Sequence, residues 1–245
     1  MNAAANTVIW HDVECGSYAD DLGPWEELAG RHGEPILELG AGTGRVALHL
    51  ARRGHRVDAI DLDPELVAEL GERAAAGRLE VTARVSDARD LDAQAGAYRL
   101  VIGATQLIQL LGGPTGRVAA LEGIARALAP DGVAALGIVE GPVTVGEGAP
   151  DVIPDVREVD GYVHSSLPLG IDADDALLRV YRLRQTVAPD GELTETEHID
   201  RLDVLDAETL LAEASEAGLE AAGRLEIAES DRYVGSSIIL MRRAA

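Results

Sequence analysis

Glu38, Gly40, Gly42 and Gly44 lie in the stretch Ile36-Leu37-Glu38-Leu39-Gly40-Ala41-Gly42-Thr43-Gly44-Arg45. Glycines so spaced let the backbone take conformations closed to other residues, and they let a ligand come close to the main chain. The apolar run before the turn reads as a strand. Val46, Ala47, Leu50 and Ala51 after it recur at roughly helical spacing. A helix start offers free N–H groups and the positive end of a dipole. A second apolar run, Val57-Asp58-Ala59-Ile60, ends in Asp61, 21 residues after Gly40. A carboxylate at the tip of a second strand is placed to accept both hydroxyls of a ribose. The chemistry implied is the gripping of a nucleoside-bearing ligand. The dinucleotide spacing G-x-G-x-x-G would require glycine where Arg45 stands.

The pattern E-x-G-x-G-x-G, from Glu38 to Gly44, resembles motif I of class I S-adenosylmethionine (SAM)-dependent methyltransferases. The resemblance implies that Gly40, Ala41, Gly42 and Gly44 receive the methionyl part of SAM, that Glu38 faces its ammonium, and that Asp61, with Leu62 beside it, holds the ribose. Ser86-Asp87-Ala88-Arg89-Asp90-Leu91 is similar to the family's third cofactor segment. Asp87 would then accept the adenine amino group and the Ala88 N–H would reach the ring, with Arg89 next to them. Ala104 ends the fourth strand on the same rim, and Gln106 follows where the family lines its active site. Tyr18 resembles an N-terminal tyrosine that closes over the cofactor. The expected reaction is methyl transfer to O or N of a small metabolite by in-line displacement, leaving S-adenosylhomocysteine. His164, His198 and Glu140 are candidate bases, as is His11, and Glu140 is also a candidate substrate contact. Two other readings compete. One is a non-catalytic SAM or S-adenosylhomocysteine binder with a regulatory role. The other is a different nucleoside-cofactor enzyme, such as an NAD oxidoreductase, against which Arg45 argues.

These residues must be positioned by alternating strands and helices. Five alternations from the first strand to Val133–Val139 predict a parallel sheet with right-handed crossovers and helices on both faces. Ligands on such sheets bind beyond the strands' C-terminal ends. Asp63-Pro64-Glu65 predicts a helix start and Gly77 its stop. Ala129-Pro130-Asp131-Gly132 reads as a turn before the fifth strand. A loop rich in Gly and Pro, Glu140 to Pro154, leads to three segments alternating at period two: Val156–Leu167, Leu177–Ala188 and Glu192–Leu205. Ala188-Pro189-Asp190-Gly191-Glu192 is a hairpin signal. Asp206-Ala207-Glu208 opens a last helix, and two strands close the chain. The family resemblance supplies the strand order 3-2-1-4-5-7-6, with the seventh antiparallel. The expected fold is α/β, a Rossmann-like class I methyltransferase with a seven-stranded mostly parallel sheet and an antiparallel β insertion after strand five. It is read as a single domain over 1–245. Within it, 1–32 form a helical lid, 33–139 the cofactor-binding core, 140–205 the insertion as substrate cover, and 206–245 the C-terminal helix and closing strands.

The chain of 245 residues has a formal net charge of −22 and no basic run. Phosphate neutralisation needs clustered Lys and Arg, so a nucleic-acid partner is disfavoured. Lysine and phenylalanine are both absent, which suits a high-GC genome. One cysteine, Cys15, excludes an internal disulfide framework. With no signal-peptide pattern and no apolar run near the roughly 20 residues of a membrane span, the expected setting is cytoplasmic without a membrane partner. The histidines are isolated, so no metal is expected. Oligomeric state is not legible.

Overall fold

The structure, a computed structural model, describes residues 3–140, 153–230 and 233–244. The loop expected over Glu140–Pro154 falls largely outside them. The chain forms two compact units: Met1–Tyr18 with Gly141–Val204, and Ala19–Glu140 with Leu205–Ala245. It opens on α1 (Ala3–Cys15), which belongs to the smaller unit, and α2 (Leu22–His32), which belongs to the larger.

In the larger unit follow β1 (Ile36–Leu39), α3 (Arg45–Arg52), β2 (Val57–Asp61), α4 (Pro64–Gly77), β3 (Val81–Val85), β4 (Tyr98–Gly103), α5 (Pro114–Ala127) and β5 (Leu128–Ile138). After β6 (Asp155–Val159), β7 (Tyr162–Ala173), β8 (Leu177–Val187) and β9 (Leu193–Asp203) of the smaller unit, the larger one resumes with α6 (Ala207–Glu216), β10 (Leu219–Ile227) and β11 (Ser236–Arg243). Its sheet has the order β10-β11-β5-β4-β1-β2-β3. β11 runs antiparallel to both neighbours, and the pairings among β1 to β5 are parallel. Counted within this unit, that is the order 3-2-1-4-5-7-6.

Period-two alternation splits β1 between two cores. Leu37 and Leu39 pack with Ile60, Val101, Leu121 and Leu210 on the face of α5 and α6. Ile36 packs with Val46, Leu50, Leu70, Trp25 and Leu28 on the face of α2, α3 and α4. Each such side chain contributes roughly 1.5–3 kcal/mol on burial. Glu38 shares the Ile36 face, so the same alternation that buries an isoleucine also buries a carboxyl. Helix starts follow local chemistry. Asp63 accepts from the N–H groups of Glu65 (2.8 Å) and Leu66 (3.3 Å), ahead of Pro64 at the first turn of α4. Asp206 accepts from Thr209 N–H at 2.7 Å and starts α6.

Several expectations need correcting. Gly77 is not the stop of α4: the helix includes it, and Arg78 takes the left-handed conformation instead, with φ 53°. The turn at 129–132 lies within β5, as an irregularity between the pairings Tyr98↔Leu128 and Leu100↔Val133. The segment 156–167 is not one strand. Asp160 and Gly161, with φ 53° and 81°, fold it into the β6–β7 hairpin. Two successive residues with positive φ are what the tight hairpin turn requires. The hairpin at Ala188–Glu192 forms as expected, with Ala188 N–H donating to Glu192 O at 2.8 Å.

The smaller unit is a four-stranded antiparallel sheet, β6-β7-β8-β9, with α1 packed on it. The segment read as one lid, 1–32, is therefore divided, because α1 makes its partners in β6 to β8. Glu14 takes Arg184 at 2.6 and 2.7 Å and Ser166 at 2.8 Å, and Asp12 pairs with Arg157 at 3.2 Å.

Candidate functional site

The glycine loop leaves β1 at Leu39 and enters α3 at Arg45. Gly40, Gly42 and Gly44 all have positive φ, at 63°, 55° and 92°. A Cβ on Gly40 would stand 2.6 Å from Leu107 Cδ1, and one on Gly44 would stand 2.2 Å from Leu70 Cδ1. The backbone conformation therefore favours glycine at these two positions, and a side chain there would have to displace a leucine. Ala41, Gly42 and Thr43 are buried, while Gly40 is exposed at the rim.

Asp61 organises the loop from the tip of β2. Its Oδ2 accepts from Gly42 N–H at 2.8 Å, and its Oδ1 from Asp63 N–H at 2.9 Å. A carboxylate oxygen has two acceptor positions, so each retains one. Leu62, beside it, is 60% exposed.

Glu38 is 2% exposed, and its Oε2 is buried without a hydrogen-bond partner. Burial pushes its carboxyl up to about 8. The Arg45 guanidinium and the Ala47 N–H pull the other way, while the Asp21 and Asp61 carboxylates add to the rise. Arg45 ties three segments together. It forms an ion pair with Asp21 at the start of α2, with Nη2 to Oδ2 at 2.7 Å, and it donates to Thr105 Oγ1 at 2.8 Å. Asp21 also accepts from Trp25 Nε1 at 2.9 Å. By spacing alone, Arg45 reads only as a residue standing where a dinucleotide site needs glycine.

Beyond β4, Ala104 is buried, and Thr105 and Gln106 both take the left-handed conformation, with φ 50° and 57°. Two consecutive non-glycine residues there are strained, and such strain clusters at functional sites. Gln109, which sequence reasoning passed over, is 2% exposed and clasps Val139. Val139 N–H donates to Oε1 at 2.8 Å, and Nε2 donates to Val139 O at 3.2 Å. Nothing in its neighbours signalled this contact, 30 positions away.

Asp87 caps a single 3-10 turn over Ala88–Asp90, and Ala88 is buried. The Arg89 guanidinium grips Asp87 at 2.7 and 2.9 Å and holds its carboxyl below the usual carboxylate range. Arg89 thus stands as the partner of the carboxylate expected to receive adenine.

The other candidates fare differently. Glu140 is committed to structure: Oε1 accepts from Ala207 N–H at 2.8 Å, and Oε2 meets Ser237 Oγ at 2.9 Å and Arg224 at 2.6 Å. A carboxylate so held braces α6 and β11, which opposes its assignment as a base or a substrate contact. His164 lies in the smaller unit, 1% exposed, edge-on to Trp10 at 5.6 Å, with Nδ1 3.0 Å from Thr186 Oγ1. Burial lowers its pKa, which disfavours a proton-accepting role. His198, in the same unit, sets Nε2 3.1 Å from Asp200 and borders a cavity of about 250 Å³ with Leu169, Gly170, Tyr181, Arg182 and Glu197. Tyr18 and His11 also belong to the smaller unit, half-buried. The rim thus brings together Glu38, Gly40, Gly42, Gly44, Asp61, Asp87, Ala104 and Gln106 at strand ends of one sheet. Among the described residues no group of three or more His, Cys, Asp or Glu is placed to hold a metal, and no helix is long and apolar enough to cross a membrane.

Residues 36–132 match the family model described as a methyltransferase domain. Over that stretch the chain is similar to methyltransferase domains. Across nearly its whole length the fold is that of solved methyltransferases. DesVI of Streptomyces venezuelae matches with a TM-score of 0.76 and 17% identity, over 100% of this chain and 99% of that one. A SAM-bound amino pentose methyltransferase from Micromonospora echinaspora matches with a TM-score of 0.73 and 20% identity, over 96% and 95%. Among curated proteins, an uncharacterised protein of Mycobacterium tuberculosis is 39% identical over 72 residues, which are 29% of this chain and 26% of that one. A probable ribosomal RNA small subunit methyltransferase A of Methanosarcina mazei is 36% identical over 83 residues, 34% and 30% of the two chains. The matched stretch thus spans 26–30% of the length of these curated relatives.

Proposed function

We propose that this protein transfers a methyl group from SAM to a nitrogen or oxygen of a small molecule. The observation that carries the reading is the buried, unpartnered Glu38 carboxyl beneath a loop whose three glycines all have positive φ. A buried acceptor without a partner costs about 1–3 kcal/mol, and a bound ammonium removes that cost. Asp61 would receive the ribose on its remaining acceptor positions. Asp87 would receive the adenine amino group after exchanging Arg89, and Ala88 would supply its N–H. SAM, when bound, supplies an already activated methyl. The chain's own task is to align a nucleophile and exclude water, which supplies roughly 7–11 kcal/mol of a barrier. Gln106 can orient an acceptor through its amide but takes no proton, and Glu140 is committed elsewhere. A nitrogen acceptor suits these residues, because an amine loses its proton to solvent before attack whereas a hydroxyl calls for a base.

The neighbours described as an amino pentose methyltransferase and a sugar N-methyltransferase support an amine on a sugar-like scaffold as the first acceptor to try. The deciding experiment incubates purified protein with labelled SAM and separate pools of amino sugars, other amines, hydroxyl compounds and ribosomal or transfer RNA. Label should enter the amine pool. Label confined to RNA would reject a small-molecule acceptor. SAM binding with no transfer to any pool would favour a non-catalytic binder. The net charge of −22 weighs against the RNA arm.

A further inference from the structure

Glu38 is a buried acid at this site with an unpartnered carboxyl oxygen. The carboxyl sits on the buried face of β1 with Ile36, under α2 and α3, at 2% exposure. Ala47 N–H bonds to it, yet Oε2 is buried with no donor. An isolated carboxylate in such a place lacks the hydrogen bonds that water would give it. The charged groups facing it are Arg45 on α3, Asp21 at the start of α2, and Asp61 at the tip of β2. Arg45 cannot settle the charge, since its guanidinium is already paired with Asp21 and bonded to Thr105. The local sum is one cation against two other carboxylates. Protonation removes the uncompensated charge and turns Glu38 into a hydroxyl donor, in line with a carboxyl pushed up to about 8.

We propose that Glu38 carries a proton while the cofactor site is empty and gives it up when an ammonium arrives, so that binding the cofactor releases one proton to solvent. The inference rests on the SAM reading above. The balance is simple: a neutral carboxyl and an ammonium become a carboxylate–ammonium pair, and one proton leaves to buffer. No other bond changes. By linkage, affinity for SAM rises by nearly tenfold per unit of pH below about pH 7 and reaches its maximum near pH 8. It then falls, because Glu38 is ionised already and the ligand's own α-amino group loses its proton.

Two measurements on the full chain test this. In the first, the Glu38 carboxyl of the empty protein is titrated by carbon-13 NMR of glutamate-labelled protein, with Glu38→Gln used to assign the signal. Ionisation near pH 8 is expected, and ionisation complete by pH 6 overturns the proposal. In the second, calorimetry of SAM binding at pH 7 is repeated in buffers of different ionisation enthalpy. Release close to one proton is expected for the wild type, and none for Glu38→Gln, whose affinity should be weaker and flat with pH. Binding without release in the wild type overturns the proposal and leaves the methyl-donor reading standing. No SAM binding by the folded wild type overturns both, and the titration of the empty protein then separates the two failures.

Discussion

Asp61 shows how one side chain serves both fold and ligand. It holds the glycine loop through Gly42 N–H and its own strand end through Asp63 N–H. Asp61→Ala removes two charge-assisted bonds of roughly 1.5–3 kcal/mol each, so calorimetry should record SAM affinity down by at least tenfold together with a lower melting temperature. Unchanged affinity would remove Asp61 from the site. Asp87 makes a contrasting case, since the Arg89 guanidinium already occupies it. Asp87→Ala should weaken SAM binding and Arg89→Ala should not. The opposite pattern would show that Arg89 makes the contact. Glu38 also affects stability. Its carboxyl lies at 4.5 in the unfolded chain and about 8 in the folded one. A raised pKa means that its contribution is complete below 4.5 and is lost as pH climbs to 8. Denaturant melts should therefore show wild type losing stability relative to Glu38→Gln across that window.

At the level of elements, a buried ion pair joins α5 to α6. Arg117, 4% exposed at its side chain, grips Glu213 in a two-toothed contact at 2.5 and 2.7 Å. Removing one partner strands the other charge, at a cost of about 3–5 kcal/mol. Arg117→Met should therefore melt well below wild type, and the double variant with Glu213→Leu should recover much of the loss. If the double variant is no more stable than the single, the pairing does not account for the cost. Nothing near Arg117 in sequence announced this contact, 96 positions long. By contrast, Asp63-Pro64-Glu65 and Asp190-Gly191 were readable, because a cap or a turn is made by adjacent residues. The Asp160-Gly161 turn carried the same kind of local signal. It went unread because alternation on both sides masked the break.

Over the whole molecule, the chain crosses between its two units at 18/19, 140/141 and 204/205. The helix α1 belongs with a sheet formed some 150 residues later, held by Glu14 to Arg184 and Ser166. Glu14→Ala should raise amide hydrogen exchange in α1 and β7 while leaving β1, β2 and α3 protected. Equal deprotection of β1, β2 and α3 would contradict the assignment of α1 to the smaller unit.

The glycine spacing, the acidic strand tips, the helix caps and the alternation of strands and helices up to β5 could be read from the residues themselves. Each is written in neighbours a few positions apart, where backbone sterics and hydrogen-bond reach act directly. Only the tertiary structure decided which charges are left alone. It stripped donors from Glu38, bound Glu140 to α6 and β11, turned Arg45 into a clamp and attached α1 to a distant sheet. Burial and long-range pairing depend on what the folded chain places overhead, and a linear pattern does not record it.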